Sequence, residues 1–97
     1  MKFNDLIIEN VINSEIPKDI LILFKGGKSA KYNYDIKVIA EKFGYDLKEL
    51  KTQLKLGMKI ESEHSNNKII QKIISLDHLT ESLDYYKELE LMERKLK

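Results

Sequence analysis

Apolar residues recur along this 97-residue chain at spacings of three and four, and no segment alternates convincingly with period two. Such a pattern belongs to helices that each bury one stripe, so the reading is an all-α fold. Phe3, Leu6, Ile7, Asn10 and Val11 predict a first helix that ends before Pro17. Pro17 suits the first turn of a short helix, Lys18 to Phe24, which Gly26-Gly27 stops. Lys28 to Asn33 reads as a polar loop. Asp35 can cap the next helix, with Ile36, Ile39, Ala40 and Phe43 facing inward and Gly44 as its terminator. Asp46 caps a longer helix reaching about His64, and Ser65-Asn66-Asn67 forms a turn. Lys68 to Glu81 and Leu83 to Leu96 are the last two helices. The expected architecture is a small bundle of about five helices in a single domain spanning 1–97. Residues 1–45 supply the N-terminal helices and a helix-turn-helix-like corner. Residues 46–97 supply an antiparallel hairpin and a C-terminal helix.

Composition removes several function classes. The chain has no Cys, which excludes disulfides, thiolate nucleophiles and cysteine-ligated zinc. The longest plain apolar run, Ile20 to Phe24, is far too short to span a bilayer, so no membrane partner is expected. Asp5 and Glu9 interrupt the N-terminal stretch, which does not read as a signal peptide. The formal charge is +1, but residues 18–59 hold ten Lys against five acids while both flanks are net acidic. A basic middle favours an anionic partner weakly, and a solvated face accounts for it equally well.

Three constellations could carry chemistry. Phe24-Lys25-Gly26-Gly27-Lys28-Ser29 ends like a phosphate-binding loop, but Ile22 stands where that motif needs Gly, and no strand precedes it. It reads as a flexible basic turn. Ile39 to Asp46, with Leu50, has the small residue, turning Gly and returning aliphatic of a helix-turn-helix. In that alternative Lys48, Lys51, Thr52, Gln53 and Lys55 would face DNA. A plain structural corner needs the same residues, and Glu49 would repel phosphate.

The third constellation is the most distinctive. On a helical wheel Leu47, Leu50, Leu54, Gly57 and Met58 share one face, with Glu61 at its centre and His64 beside it. Ile70, Ile73 and Ile74 define the inner face of the next helix, with Asp77 and Glu81 on its centre line and His78 on the shoulder. Polar groups on an apolar face must be paired. The expectation is an internal polar network of Glu61, His64, Asp77, His78, Glu81 and Tyr85, with Glu61 and His64 paired to each other or to Tyr85. A metal site on Glu61, His64, Asp77 and His78 is the alternative. Glu61-x-x-His64 has the right spacing, but Glu61 and Asp77 would differ in height by roughly 8 Å in a short-turn hairpin. No nucleophile, base and orienting group come together, so no catalytic residue, enzyme activity or cofactor is assigned.

The run Leu54-x-x-Gly57-x-x-Ile60-Glu61-x-Glu63-His64-Ser65, then Ile73-x-x-Leu76-Asp77-His78-Leu79-x-Glu81, then Asp84-Tyr85-Tyr86-x-x-Leu89 resembles a domain of unknown function common in bacteriophage and bacterial proteins. That domain carries Leu-x-x-Gly-x-x-Val-Glu-x-Glu-His-Thr, Ile-Ala-x-Asp-His-Leu-x-Glu and Asp-Tyr-Tyr-x-x-Leu. The likeness covers about residues 50–93. Ser65 replaces Thr and would still cap the following helix, Ile74 replaces Ala, and Leu83 stands where many members have Pro. The resemblance implies a phage-type setting: a virion component or an accessory protein, cytoplasmic or in the virion. Because the motif's polar residues face inward, the expected function is a structural or protein-binding module whose surface meets a protein partner. It implies no reaction.

Overall fold

The structure is a computed structural model and describes residues 9–14, 16–23 and 28–95. Residues 9–13 are helical. There follow α1 (Lys18–Leu23) and a single 3-10 turn at Ala30–Tyr32. Then come α2 (Ile36–Phe43), α3 (Leu47–Glu61), α4 (Lys68–Glu81) and α5 (Tyr85–Lys95). No strand occurs among the described residues, and the all-α reading stands. The expected stripe at Phe3, Leu6 and Ile7, the stop at Gly26-Gly27, and Phe24 and Leu96 lie outside the described residues.

The corner between α2 and α3 forms by the expected chemistry. Asp35 accepts from the amides of Lys37 and Val38, and Asp46 from that of Glu49. These caps satisfy N–H groups that the first turn of a helix leaves without partners. Gly44 closes α2 at φ 69°, in the left-handed region that favours glycine, and its N–H reaches back to Ala40 and Glu41. Ala40 is buried where the two helices meet.

α3 and α4 form the antiparallel hairpin that dominates the packing. Leu50, Leu54 and Met58 of α3 lie fully buried against Ile73, Leu76 and Leu79 of α4, and Tyr86 of α5 closes the same core. Each such side chain contributes roughly 1.5–3 kcal/mol by leaving water. Ile12, Ile16, Tyr34 and Ile36 extend the core toward the N-terminal segment.

The structure corrects several expectations. α3 ends at Glu61, because bonds such as His64 N–H to Glu61 O tighten the chain into a turn. Residues 62–64 therefore leave the wheel that seemed to aim His64 inward. Asn67, not Ser65, caps α4: its Oδ1 accepts from Ile69 and Ile70, while Ser65 Oγ accepts from the Asn67 amide. The buried face of α4 is rotated from the expected one. Lys72, Ile73, Ser75, Leu76 and Leu79 are covered, whereas Ile70 and Ile74 are half-buried. α5 starts at Tyr85, not Leu83, because Ser82 is extended (φ −159°, ψ 129°) and breaks the helix without proline. Phe43, expected inside, is 38% exposed. Sitting at the last turn of α2, it meets the surface rings of Tyr32 and Tyr45, each with its centroid 5.5 Å away. Finally, the polar loop at 28–33 holds a 3-10 turn and a fully buried Ser29, while Lys28, Lys31 and Asn33 are exposed.

Candidate functional site

The motif residues converge on a joint between α3, α4 and α5. Gly57 lies mid-helix, where glycine is intrinsically unfavourable. Its purpose here is clearance. A Cβ at that position would stand 2.8 Å from Tyr86 Cζ and 2.9 Å from Ser75 Oγ, with Tyr86 Cε2 closer still. The Tyr86 ring therefore lies against the bare α3 backbone, one turn before Glu61, and its hydroxyl donates to Glu61 Oε1 at 3.3 Å. Burial pushes the Tyr86 phenol well above its ordinary pKa; the neighbouring Ser75 hydroxyl opposes the shift and the Glu61 carboxylate adds to it. His78 stacks on Tyr85 with centroids 4.2 Å apart and planes 4° from parallel, and it meets Tyr86 edge-on at 6.1 Å.

The other two acids on α4 point elsewhere. Asp77 accepts from the backbone N–H of Ser29 at 2.8 Å and from its hydroxyl at 2.5 Å. Glu81 is exposed and ion-paired with Lys28, which holds its carboxyl below the usual range. The Lys28-Ser29 pair of the supposed phosphate loop is thus occupied by α4. Tyr45 adds a third tie, donating to Leu79 O at 3.1 Å.

The single expected network of six residues is therefore divided. Glu61 binds Tyr86 rather than Tyr85, His78 and Tyr85 form a ring stack, and Asp77 and Glu81 hold the 28–29 segment. His64 is exposed and joins none of them. The alternative metal set of Glu61, His64, Asp77 and His78 is not assembled, and no three His, Asp or Glu side chains converge among the described residues. Helical phase explains this: Asp77 turns toward Ser29 on one side of α4 and His78 toward Tyr85 on the other.

The corner residues considered for DNA do not share one exposed face either. Lys48 and Thr52 are exposed and Lys51 is half-buried. Lys55 is paired with Glu9 at 2.6 Å. Gln53 is buried, because it lies three residues after Leu50 and four before Gly57 on the core stripe, and its amide donates to Glu49.

The most unusual group among the described residues is one that the sequence reading did not single out. Lys72 is only 3% exposed, and its ammonium donates to the carbonyls of Val11, Ile12 and Ser14 at 3.2, 3.0 and 2.9 Å. Those carbonyls close the helical stretch at 9–13, where the helix leaves acceptors unfilled and favours a cation. Burial lowers the Lys72 pKa, and the Asp35 carboxylate opposes that shift. The available signal was its register: Lys72 stands four before Leu76 and seven before Leu79, on the same stripe. Beside it lies a cavity of about 710 Å³ between residues 12–18, the 33–37 segment and α3.

No helix among the described residues is long and apolar enough to cross a membrane. No curated protein and no solved structure matches the chain. A family model described as "Protein of unknown function (DUF5661)" matches residues 36–95, well over half of the chain. That stretch contains the corner, the hairpin and the joint around Tyr86, and the chain belongs to this family of unknown function.

Proposed function

We propose that the chain is a non-enzymatic, phage-type structural or accessory protein that acts as a protein-binding module, in the cytoplasm or in the virion. The observation that carries this reading is the fate of the motif. Its polar side chains engage Tyr86, Tyr85, Ser29 and Lys28 rather than a shared open site. Residues used this way specify a shape, and the function then rests on the surface that the shape presents. Leu91 and Met92, 54% and 59% exposed on the outer side of α5, are the most exposed large apolar side chains among the described residues. Apolar groups in such a position suit a protein partner better than a polyanion. The phage setting rests on the resemblance of the motif.

Mass spectrometry of purified particles and of native complexes from the host tests the proposal. The expected result is the chain in fixed stoichiometry with one partner, and loss of that partner on Leu91→Glu with Met92→Glu. A chain that stays free of every assembly would refute it. Binding to duplex DNA that weakens steeply with salt, and is lost on Lys48→Glu with Lys51→Glu, would favour the corner instead.

A further inference from the structure

We infer that the cavity between the N-terminal segment and the 33–37 turn binds a small organic anion, one with a phosphate or carboxylate head and an apolar body. The volume, about 710 Å³, falls within the range of small-molecule sites. Its wall combines the apolar Ile12, Ile16 and Ile36 with Lys18, Lys37 and Lys51. None of these three lysines forms an ion pair among the described residues, in contrast to Lys28, Lys55 and Lys87 elsewhere on the surface.

Among the described lining residues the one carboxylate, Asp35, is turned to the α2 amides of Lys37 and Val38. Lys72 adds a fourth positive charge in the wall, its ammonium hydrogen-bonded to three backbone carbonyls. A concave, partly apolar wall focuses such a field on whatever enters it. Lysines around a cavity repel metal cations, and among the described lining residues the one carboxylate is already committed to backbone amides. A flat polyanion surface would not reach the recess, whereas a compact anion does.

Backbone strain falls at the same place. Asn33 and Tyr34, both in the cavity wall, have φ of 56° and 54°. A left-handed conformation is uncommon for a bulky aromatic residue and persists only where surrounding structure enforces it. Here the Tyr34 amide donates to Ser29 O, and Asp77 fixes Ser29. The consequence is that Lys37 and the Asp35 cap are presented at the cavity rim by a locked turn.

The test is a titration of the full isotope-labelled chain, followed by amide NMR, with four probes: inorganic phosphate, a nucleoside monophosphate, citrate and octanoate. The nucleotide and octanoate separate a phosphate head from a carboxylate head, and inorganic phosphate and citrate report the contribution of the apolar body. The expected result is a saturable shift centred on Ser14, Tyr34 and Lys37 for one of the two amphiphilic anions, with weaker binding of the purely polar ones. Lys18→Glu with Lys51→Glu should weaken that affinity by about tenfold or more. Lys42→Glu with Lys48→Glu, which changes the overall charge equally but lies outside the cavity, should leave it within about twofold. The inference is overturned if no probe shifts these amides at concentrations of roughly several millimolar. Equal weakening by the two double variants overturns it as well.

Discussion

Gly57→Ala gives the most decisive test of the joint. On an isolated helix the change stabilises by about 1 kcal/mol, because alanine is the better helix former. In this fold the new methyl meets the Tyr86 ring and Ser75 Oγ inside ordinary contact distance. Tyr86 is fully buried, bonded to Glu61 and flanked by Tyr85 and His78, so its ring cannot simply swing away. Overpacking of this kind costs about 1–3 kcal/mol. Displacing the phenol from a carboxylate acceptor adds roughly 1.5–3 kcal/mol. After the propensity gain of about 1 kcal/mol, the net expectation is a loss of about 1.5–5 kcal/mol, or a melting temperature lower by roughly 6–40 °C for a domain of this size. Thermal denaturation followed by far-UV circular dichroism reads it. The sign should reverse in a Tyr86→Ala background, where the methyl finds space and alanine stabilises by up to about 1 kcal/mol. A Gly57→Ala protein that melts at or above the parent temperature refutes the clearance argument.

Lys72→Met should destabilise by about 1–3 kcal/mol, since three carbonyls lose their donor, and hydrogen exchange should quicken first at residues 9–14; unchanged exchange there would show that the ammonium is not what holds the segment. Glu61→Leu should cost about 1–3 kcal/mol by orphaning the Tyr86 hydroxyl, whereas His64→Ala should stay within about 0.5 kcal/mol, and equal effects in urea titrations would contradict the division of the network. Stability should fall as pH rises above about 10: Tyr86, Tyr34 and Tyr45 all have pKa values raised mainly by burial, so the unfolded chain releases their protons first. Lys72, shifted the opposite way, adds stability as pH climbs toward about 10.5, so the loss should be carried by tyrosine. Phenolate absorbance that develops fully while the fold is intact would contradict this.

Local signals were the readable part of this fold. Asp35, Asp46 and Gly44 announce the corner because caps and left-handed turns depend on a residue and its near neighbours. The α3 stripe from Leu50 to Met58 is equally plain. What sequence could not supply is the partner of each inward polar group, since partners come from other elements. Glu61 and Tyr86 are 25 residues apart, and Asp77 and Ser29 are 48 apart. Lys72 escaped notice for a related reason: a charged residue normally marks the wet side of a helix, and only the carbonyls at 11–14 make its burial tolerable. Gly57 was visible as part of a motif, yet its role needed the ring that lies against it.

The positions of Asp77, Glu81 and Lys72 set the matched stretch against what precedes it. All three lie within the stretch that the family model covers, whereas Ser29, Lys28 and the carbonyls at 11–14 precede it. In this chain the matched stretch thus carries sockets for a plug that lies before it. A chain cut back to the matched stretch would leave all three side chains without these partners. The leading segment of this chain is therefore held by what α4 can grip.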